Sequence, residues 1–240
     1  MRLRGHGLDM KQIIQTGCRR CGSCCRRGGP ALHSQDRALV DKGHIPADRL
    51  YTIRPGEPVR DNVRDDRLMA ASQDIVKIRS RPGGRACIYL DGRTNMCAIY
   101  DHRPLECRVL DCRDTAAIEA VYRTQRLSRQ DLLGVTAGLW DLVCEHEQRC
   151  SAAGIVILAG DWRRDSDGRL STEQQLLEMV GYDRTLRRLL VEKGRMATGL
   201  LDFVFGRSLT VVLRSLGVEV YPMENGVSLG IRAWNRGFRS

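Results

Sequence analysis

The run Cys18-x2-Cys21-x2-Cys24-Cys25 constrains this chain more than any other feature of its sequence. A C-x2-C turn aims two sulfurs and several backbone N–H groups at one point. A third cysteine two residues further on reproduces the spacing of the first three ligands of a bacterial ferredoxin run. The last two cysteines are neighbours, so in extended backbone their side chains diverge. Without a sharp bend one centre cannot take both: the pair either divides between two centres or includes one cysteine that is not a ligand. A second set, Cys87-x9-Cys97-x9-Cys107-x4-Cys112, supplies four more thiols. Four and four suit two four-thiolate sites, or one site with thiols to spare. Local signals predict how they meet. Ile75–Arg81 and Arg85–Leu90 flank Pro82-Gly83-Gly84 as a hairpin, the Asn95 turn returns Cys97 toward Cys87, and Arg103-Pro104 sets the approach to Cys107.

The N-terminal stretch MRLRGHGLDMKQII has no apolar h-region, so no secretory signal is read. A cytoplasmic, reducing environment is the expectation, and there clustered cysteines bind metal more often than they pair as disulfides. A disulfide framework is one competing reading; eight unrelated buried cysteines, each a small hydrophobe, is the other. Arg19, Arg20, Arg26, Arg27, Arg85, Arg108 and Arg113 flank the cysteines. They would favour thiolates and donate hydrogen bonds to cluster sulfurs, raising a reduction potential. Zinc and iron–sulfur clusters both accept four thiolates. The triple spacing and the absence of histidine from the ligand run favour one or two [4Fe–4S] clusters in a redox or electron-transfer role. The alternative is zinc, holding a core-poor half together with no redox chemistry, as in an interaction or scaffold protein.

The cysteine run, Cys87-Ile88-Tyr89-Leu90 and the segment Cys97-Ala98-Ile99-Tyr100-Asp101-His102-Arg103-Pro104-Leu105-Glu106-Cys107-Arg108 together resemble the CxxCxxCC cysteine-cluster family over about residues 18–112. The family comprises zinc- or iron-chelating proteins, some regarded as iron–sulfur oxidoreductases, and a similar domain occurs in flagellin lysine methylases. The resemblance implies Cys18, Cys21, Cys24, Cys25, Cys87, Cys97 and Cys107 as ligands, with Cys112 at a less uniform position. It implies nothing about residues 114–240. A protein-modifying enzyme related to the methylases is a third reading, which only measured binding of S-adenosylmethionine would raise.

Charge carries less information than the cysteines. The formal net charge is +10, from 39 basic and 29 acidic residues, and only four of the basic residues are lysines. The arginines are scattered with no aromatic inside a basic run, which argues against nucleic acid and leaves an acidic or redox partner protein open. Eight thiolates would add −8 and two dications, or two clusters with 2+ cores, +4, leaving +6; part of the basic excess then belongs to the metal sites. The longest apolar runs, such as Ile155–Ala159, fall far short of the roughly 18–20 residues of a membrane span. No P-loop, Rossmann glycine motif, HExxH, GxSxG or radical-SAM CxxxCxxC is present.

The predicted architecture is α+β: an irregular, metal-stabilised cysteine domain with short hairpins (1–113), then a mainly helical region ending in a small β-hairpin (114–240). Ser34–Lys42 reads as one short helix. Asp114 caps a helix carrying Ile118, Val121 and Tyr122. Ser128 and Asp131 form a capping box opening a helix with Leu132, Val135, Leu139, Leu142 and Val143 on one stripe. Helices are expected over Thr172–Val180, Asp183–Lys193 and Ala197–Leu216, a surface loop over Asp161–Gly168, and a hairpin over Val218–Ile231 about Asn225-Gly226. Cys144 and Cys150 read as packing residues, and His102, Tyr100 and Arg103 as turn and loop residues. His6, His33, His44 and His146 show no ligand spacing. Asp114, Glu119, Asp131, Asp141, Glu145 and Glu147 read as helix-surface carboxylates.

Overall fold

The structure, a computed structural model, describes residues 18–61, 63, 67–134, 138–164, 169–223 and 226–231. His6, Val135, Asn225 and the end of the expected loop at 165–168 lie outside them. Two compact units result. The first draws on Met1–Ile45, Asp61–Arg67 and Ile78–Arg126, the second on Pro46–Arg60, Leu68–Lys77 and Leu127–Ser240. The architecture is α+β, with helices and small two-stranded sheets.

In the first unit helices are short: α1 (Arg37–Asp41), α2 (Leu105–Val109) and α3 (Ala116–Val121). A small apolar cluster of Val109, Ile118 and Tyr122, with Leu105, Ala117 and Val121 packed against it, joins α2 to α3. Polar anchors do much of the remaining positioning. Asp36, fully buried, accepts from its own turn at His33 N (3.0 Å) and from Leu105 N at the start of α2 (2.8 Å). Glu106 accepts from Ala31 N (2.8 Å) and meets the buried His33 ring, whose other nitrogen donates to the Thr124 carbonyl (2.6 Å). Buried charge so placed fixes register, because each oxygen has a specified donor. Asp114 stands one residue before Thr115, the N-cap of α3, and accepts from Ala116 N at its first turn (3.0 Å).

The second unit contains β1 (Leu50–Ile53) paired with β4 (Ile75–Ile78), and β2 (Pro58–Arg60) paired antiparallel with β3 (Leu68–Ala70). Its helices are α4 (Arg129–Leu133), α5 (Leu139–Arg149), α6 (Ala152–Arg164), α7 (Arg169–Glu192), α8 (Leu201–Val204) and α9 (Leu209–Ser215), and β5 (Val218–Met223) and β6 (Gly226–Ile231) close it as an antiparallel hairpin. Ile155, Ala159, Trp162, Leu176, Val180, Leu209, Val212, Leu213 and Val218 form the main core. The Ser128 capping box is present, with Asp131 N donating to Ser128 Oγ (3.1 Å).

Several local expectations change. The stripe from Leu132 to Val143 is divided, because α4 ends at Leu133 before Gly134 with φ +63°. The break expected at Gly181 is absent, and α7 runs through it: Leu176, Val180, Asp183 and Arg187 make one buried stripe whose packing outweighs the roughly 1 kcal/mol cost of the glycine. The single helix over Ala197–Leu216 is instead α8 and α9, parted where Gly206 adopts φ +73° and Ser208 caps α9. Asp161–Arg164 finish α6 rather than opening a loop. Glu147 is no free surface carboxylate, since it pairs with Arg129 (2.9 Å) and lies 3.7 Å from Arg54.

Candidate metal centre

All eight N-terminal cysteines fall in the first unit, and all are free thiols. The run at 18–25 ends in a bend that the sequence alone did not specify. Cys24 is helical (φ −67°, ψ −39°) and Cys25–Arg27 form a 3-10 turn, closed by Arg26 N to Gly22 O (2.9 Å) and Arg27 N to Cys24 O (3.0 Å). Helical backbone turns successive side chains by about 100° instead of 180°. The two sulfurs therefore stand 3.9 Å apart. Four thiolates at about 2.3 Å from a tetrahedral ion are about 3.8 Å from one another, so the pair spans one edge of such a site.

Cys25 also anchors the second set, its carbonyl accepting from Cys87 N (2.7 Å). The predicted hairpin forms about residues 79–88, with Arg81 N to Ala86 O (2.8 Å) and Ile88 N to Arg79 O (3.0 Å). A second return follows at Asp91–Met96. The Asp91 carboxylate accepts from Arg93 N (2.8 Å), Asn95 takes φ +60°, and Ala98 N reaches Tyr89 O (2.9 Å), which brings Cys97 opposite Leu90. Arg26 fastens this turn to the first, donating to the Cys21 carbonyl (3.0 Å) and to Asn95 Oδ1. Cys107 lies on α2 and Cys112 in the turn after it, beside Asp111, whose carboxylate Arg113 Nη2 grips at 3.0 Å.

Electrostatics show which sulfurs are neighbours. Hydrogen bonding from Cys25, with help from Cys112, holds Cys24 down to about 6. Cys25 is driven up by sharing its proton with Cys24, by burial and by the sulfurs of Cys107 and Cys87. Burial raises Cys107 well above its usual value and raises Cys87 and Cys97 too, with other thiolates of the set adding to each. Cys112 is raised by lost hydration and by Cys24, Cys21 and Cys18; Cys21 is lowered by its bond to Ser23 Oγ (3.3 Å). Six of the other sulfurs thus border Cys24, and the seventh, Cys18, borders Cys97 and Cys112. Exposure grades across the set: Cys87 is buried, Cys21 and Cys112 are exposed, and the others lie between.

Among the described residues no three His, Cys, Asp or Glu side chains already surround one point in metal-ligating geometry. The donor set nevertheless fits a thiophilic metal. Most of these thiols cannot ionise together without a cation among them. Arg103 gives a second indication: its guanidinium lies over Tyr100 (3.7 Å), its Nε donates to the Tyr100 carbonyl (2.8 Å), and its Nη1 is buried with no hydrogen-bond partner. Arg103 acts electrostatically on Cys97, and a thiolate there would supply the missing acceptor. Charge follows the cysteines. Among the described residues the first unit has 16 basic against 9 acidic and the second 16 against 14, so most of the basic excess shares a unit with the eight thiols.

The remaining cysteines and histidines separate cleanly in space. Cys150 is buried at the end of α5 and is pushed up to about 12 by burial, whereas Cys144, also expected to pack, is exposed. His102 stacks on His44 with ring centroids 3.6 Å apart. His33 and His146 are buried in polar networks that spacing could not reveal, because their partners Glu106 and Asp183 are 73 and 37 residues away.

Residues 17–125 match the CxxCxxCC family, described as a putative zinc- or iron-chelating domain, and the match ends one residue before the first unit does. No significant match to the chain is found among curated proteins or among solved structures. This stretch is a metal-binding cysteine cluster.

Proposed function

We propose that the CxxCxxCC domain at residues 17–125 holds two metal ions through eight thiolates, one in an inner site and one in an outer site. The inner site is Cys24, Cys25, Cys87 and Cys107; the outer is Cys18, Cys21, Cys97 and Cys112. The 3.9 Å separation of the Cys24 and Cys25 sulfurs carries the reading, because it suits two ligands of one tetrahedral ion. Cys25 borders Cys24, Cys107 and Cys87, while Cys18 borders Cys97 and Cys112; Cys24 with Cys112 and Cys87 with Cys97 link the two groups, so the sites would adjoin. Zinc suits that spacing, and bound there it supplies charge compensation and a cross-link. Cys24 and Cys25 hold it to the bend, Cys87 to the hairpin and Cys107 to α2, while Arg103 donates to Cys97. The exposed arginines of this unit would favour an acidic partner protein.

Cobalt titration of the full chain tests the division. Thiolate-to-cobalt absorbance should rise to two equivalents, with Cys87→Ser and Cys21→Ser each removing one and sparing the other. A single equivalent, or loss of all binding in both variants, contradicts it. The ferredoxin-like run Cys18-x2-Cys21-x2-Cys24 favours a second reading, a [4Fe–4S] cluster in a redox role. Anaerobically purified protein would then absorb broadly in the visible and give an EPR signal on reduction that Cys21→Ser abolishes.

A further inference from the structure

The two cysteine segments, 18–27 and 87–107, each contain one non-glycine residue in left-handed backbone: Arg20 (φ +53°) between Cys18 and Cys21, and Asn95 (φ +60°) two residues before Cys97. Asparagine tolerates that region, whereas arginine has no local bond to gain there, so the Arg20 turn has to be held from outside itself. What holds each turn comes from the opposite segment. The Arg20 guanidinium lies 3.9 Å from the centre of the Tyr100 ring, and that of Arg103 lies 3.7 Å from it. Two groups that close to one centroid take opposite faces, so the ring is stacked between cations. Arg103 Nε donates to the Tyr100 carbonyl (2.8 Å), and the Arg103 carbonyl accepts from Arg108 Nη1 on α2 (2.9 Å). In the other direction Arg26, from the first segment, donates to Asn95 Oδ1 and to the Cys21 carbonyl (3.0 Å). Gly22 (φ +74°) lies against that contact, where a Cβ would stand 2.8 Å from Arg26 Nη1 and 3.2 Å from Asn95 Oδ1. No cysteine sulfur takes part in any of these contacts.

We infer that Tyr100 is a positioning residue: stacked between Arg20 and Arg103, and helped by the Arg26–Asn95 contact, it docks the first cysteine segment on the second without metal. A segment already held in place loses little conformational entropy when its sulfurs are ligated. Metal binding is then tighter than it would be to a loop that the ion alone must order, because part of the ordering cost is met beforehand. The same contacts give these arginines a role besides countering sulfur charge. Arg20, Arg26 and Arg103 engage a ring face, an amide oxygen and carbonyls, which a planar guanidinium can do at once and an ammonium cannot. The inference uses the metal-binding character of the cysteine set and not the number or kind of its ions, so it stands or falls separately from the two-site reading.

Hydrogen exchange of the full chain, reduced and stripped of metal by a chelator, tests this directly. The Arg26 and Arg27 amides, which close the bend onto Gly22 and Cys24, should exchange at least about tenfold slower than in an unstructured peptide of that sequence. Tyr100→Leu removes both stacking faces and should speed them about tenfold while α6 and α7 keep their protection. Tyr100→Phe keeps the ring and should return the rate to within about threefold of wild type. Zinc affinity, read by chelator competition, should follow the same pattern, about tenfold weaker in Tyr100→Leu and restored in Tyr100→Phe, with zinc per chain unchanged. Arg20→Gly separates bracing from strain. Glycine adopts positive φ freely, so relief of strain alone would leave exchange unchanged or slower, whereas loss of the brace makes it faster. Unprotected amides in the metal-free wild type, equal rates in wild type and Tyr100→Leu, or Arg20→Gly no faster than wild type overturn the inference. If Tyr100→Leu also exposes α6 and α7, Arg20→Gly decides in either direction.

Discussion

Metal binding by the inner site should depend steeply on pH, and the structure fixes how steeply. Burial and neighbouring sulfurs raise Cys25, Cys87 and Cys107, so all three are thiols between pH 7 and 8. Cys24, at about 6, is already a thiolate there. An entering dication therefore displaces three protons, and affinity changes by a factor of about 10³ per pH unit, or about 4 kcal/mol. The sign follows from mass action: lowering the pH supplies the protons that compete with the metal, so affinity falls. Below about pH 6 Cys24 is also protonated and the slope should approach four. Competition against a chelator of known protonation, repeated from pH 6.5 to 8.5, reads the slope directly. Cys87→Ser should bind more weakly with a slope near two, because it removes one protonated ligand and leaves the Cys24–Cys25 pair intact. A slope of one or less in the wild type, or an unchanged slope in Cys87→Ser, would refute the reasoning.

Two further outcomes concern the scaffold. Asp183, buried in the second unit, accepts from His146 Nε2 and Arg187 Nε (both 2.8 Å) and from Leu209 N (3.0 Å), and despite the opposing effect of burial these partners hold it at about 2. Its folded pKa lies below the ordinary 3.8, so its contribution of about 2 kcal/mol is complete above pH 4 and is lost as pH falls toward 2. Asp183→Asn should cost about 3 kcal/mol at pH 7 in urea unfolding followed by tryptophan fluorescence, since Arg187 keeps a buried charge with its main partner neutralised; a difference from wild type that does not narrow between pH 4 and 2 would count against this. Gly29→Ala would press a methyl group into the Ile78 carbonyl, beside the Ile78 N to Pro30 O bond (3.0 Å). A loss of about 1–3 kcal/mol and weaker metal retention are expected, and an unchanged denaturation midpoint would show that the strand shifts freely.

The sequence made the cysteine set legible because ligand spacing is local and the chemistry of thiolates is narrow. The capping box at Ser128, the helix behind Asp114 and the terminal hairpin were legible for the same reason: each is decided within a few residues. Longer-range features were not. The continuous α7 was hidden because Asp183 and Arg187 occupy its buried stripe, and a polar pair on the core face looks like a break in hydrophobic period. Gly206 parts α8 from α9 because its backbone lies against Arg54, where a Cβ would clash with the Arg54 stem, a contact between residues 152 positions apart. At the site, the Cys24–Cys25 bend escaped because extended and helical backbone give adjacent cysteines opposite meanings, and nothing in Cys-Cys itself chooses between them. Asp36, Glu106 and Arg103 were visible only as ordinary polar residues until their donors and acceptors were brought together.

The central claim is the number and kind of metal ions on the eight thiols, and one quantity tests it most directly: zinc, iron and acid-labile sulfide per chain, measured on full-length protein purified without oxygen. Two zinc ions with no sulfide is the predicted result. One ion or none per chain, with all eight thiols open to alkylation under native conditions, would contradict the account.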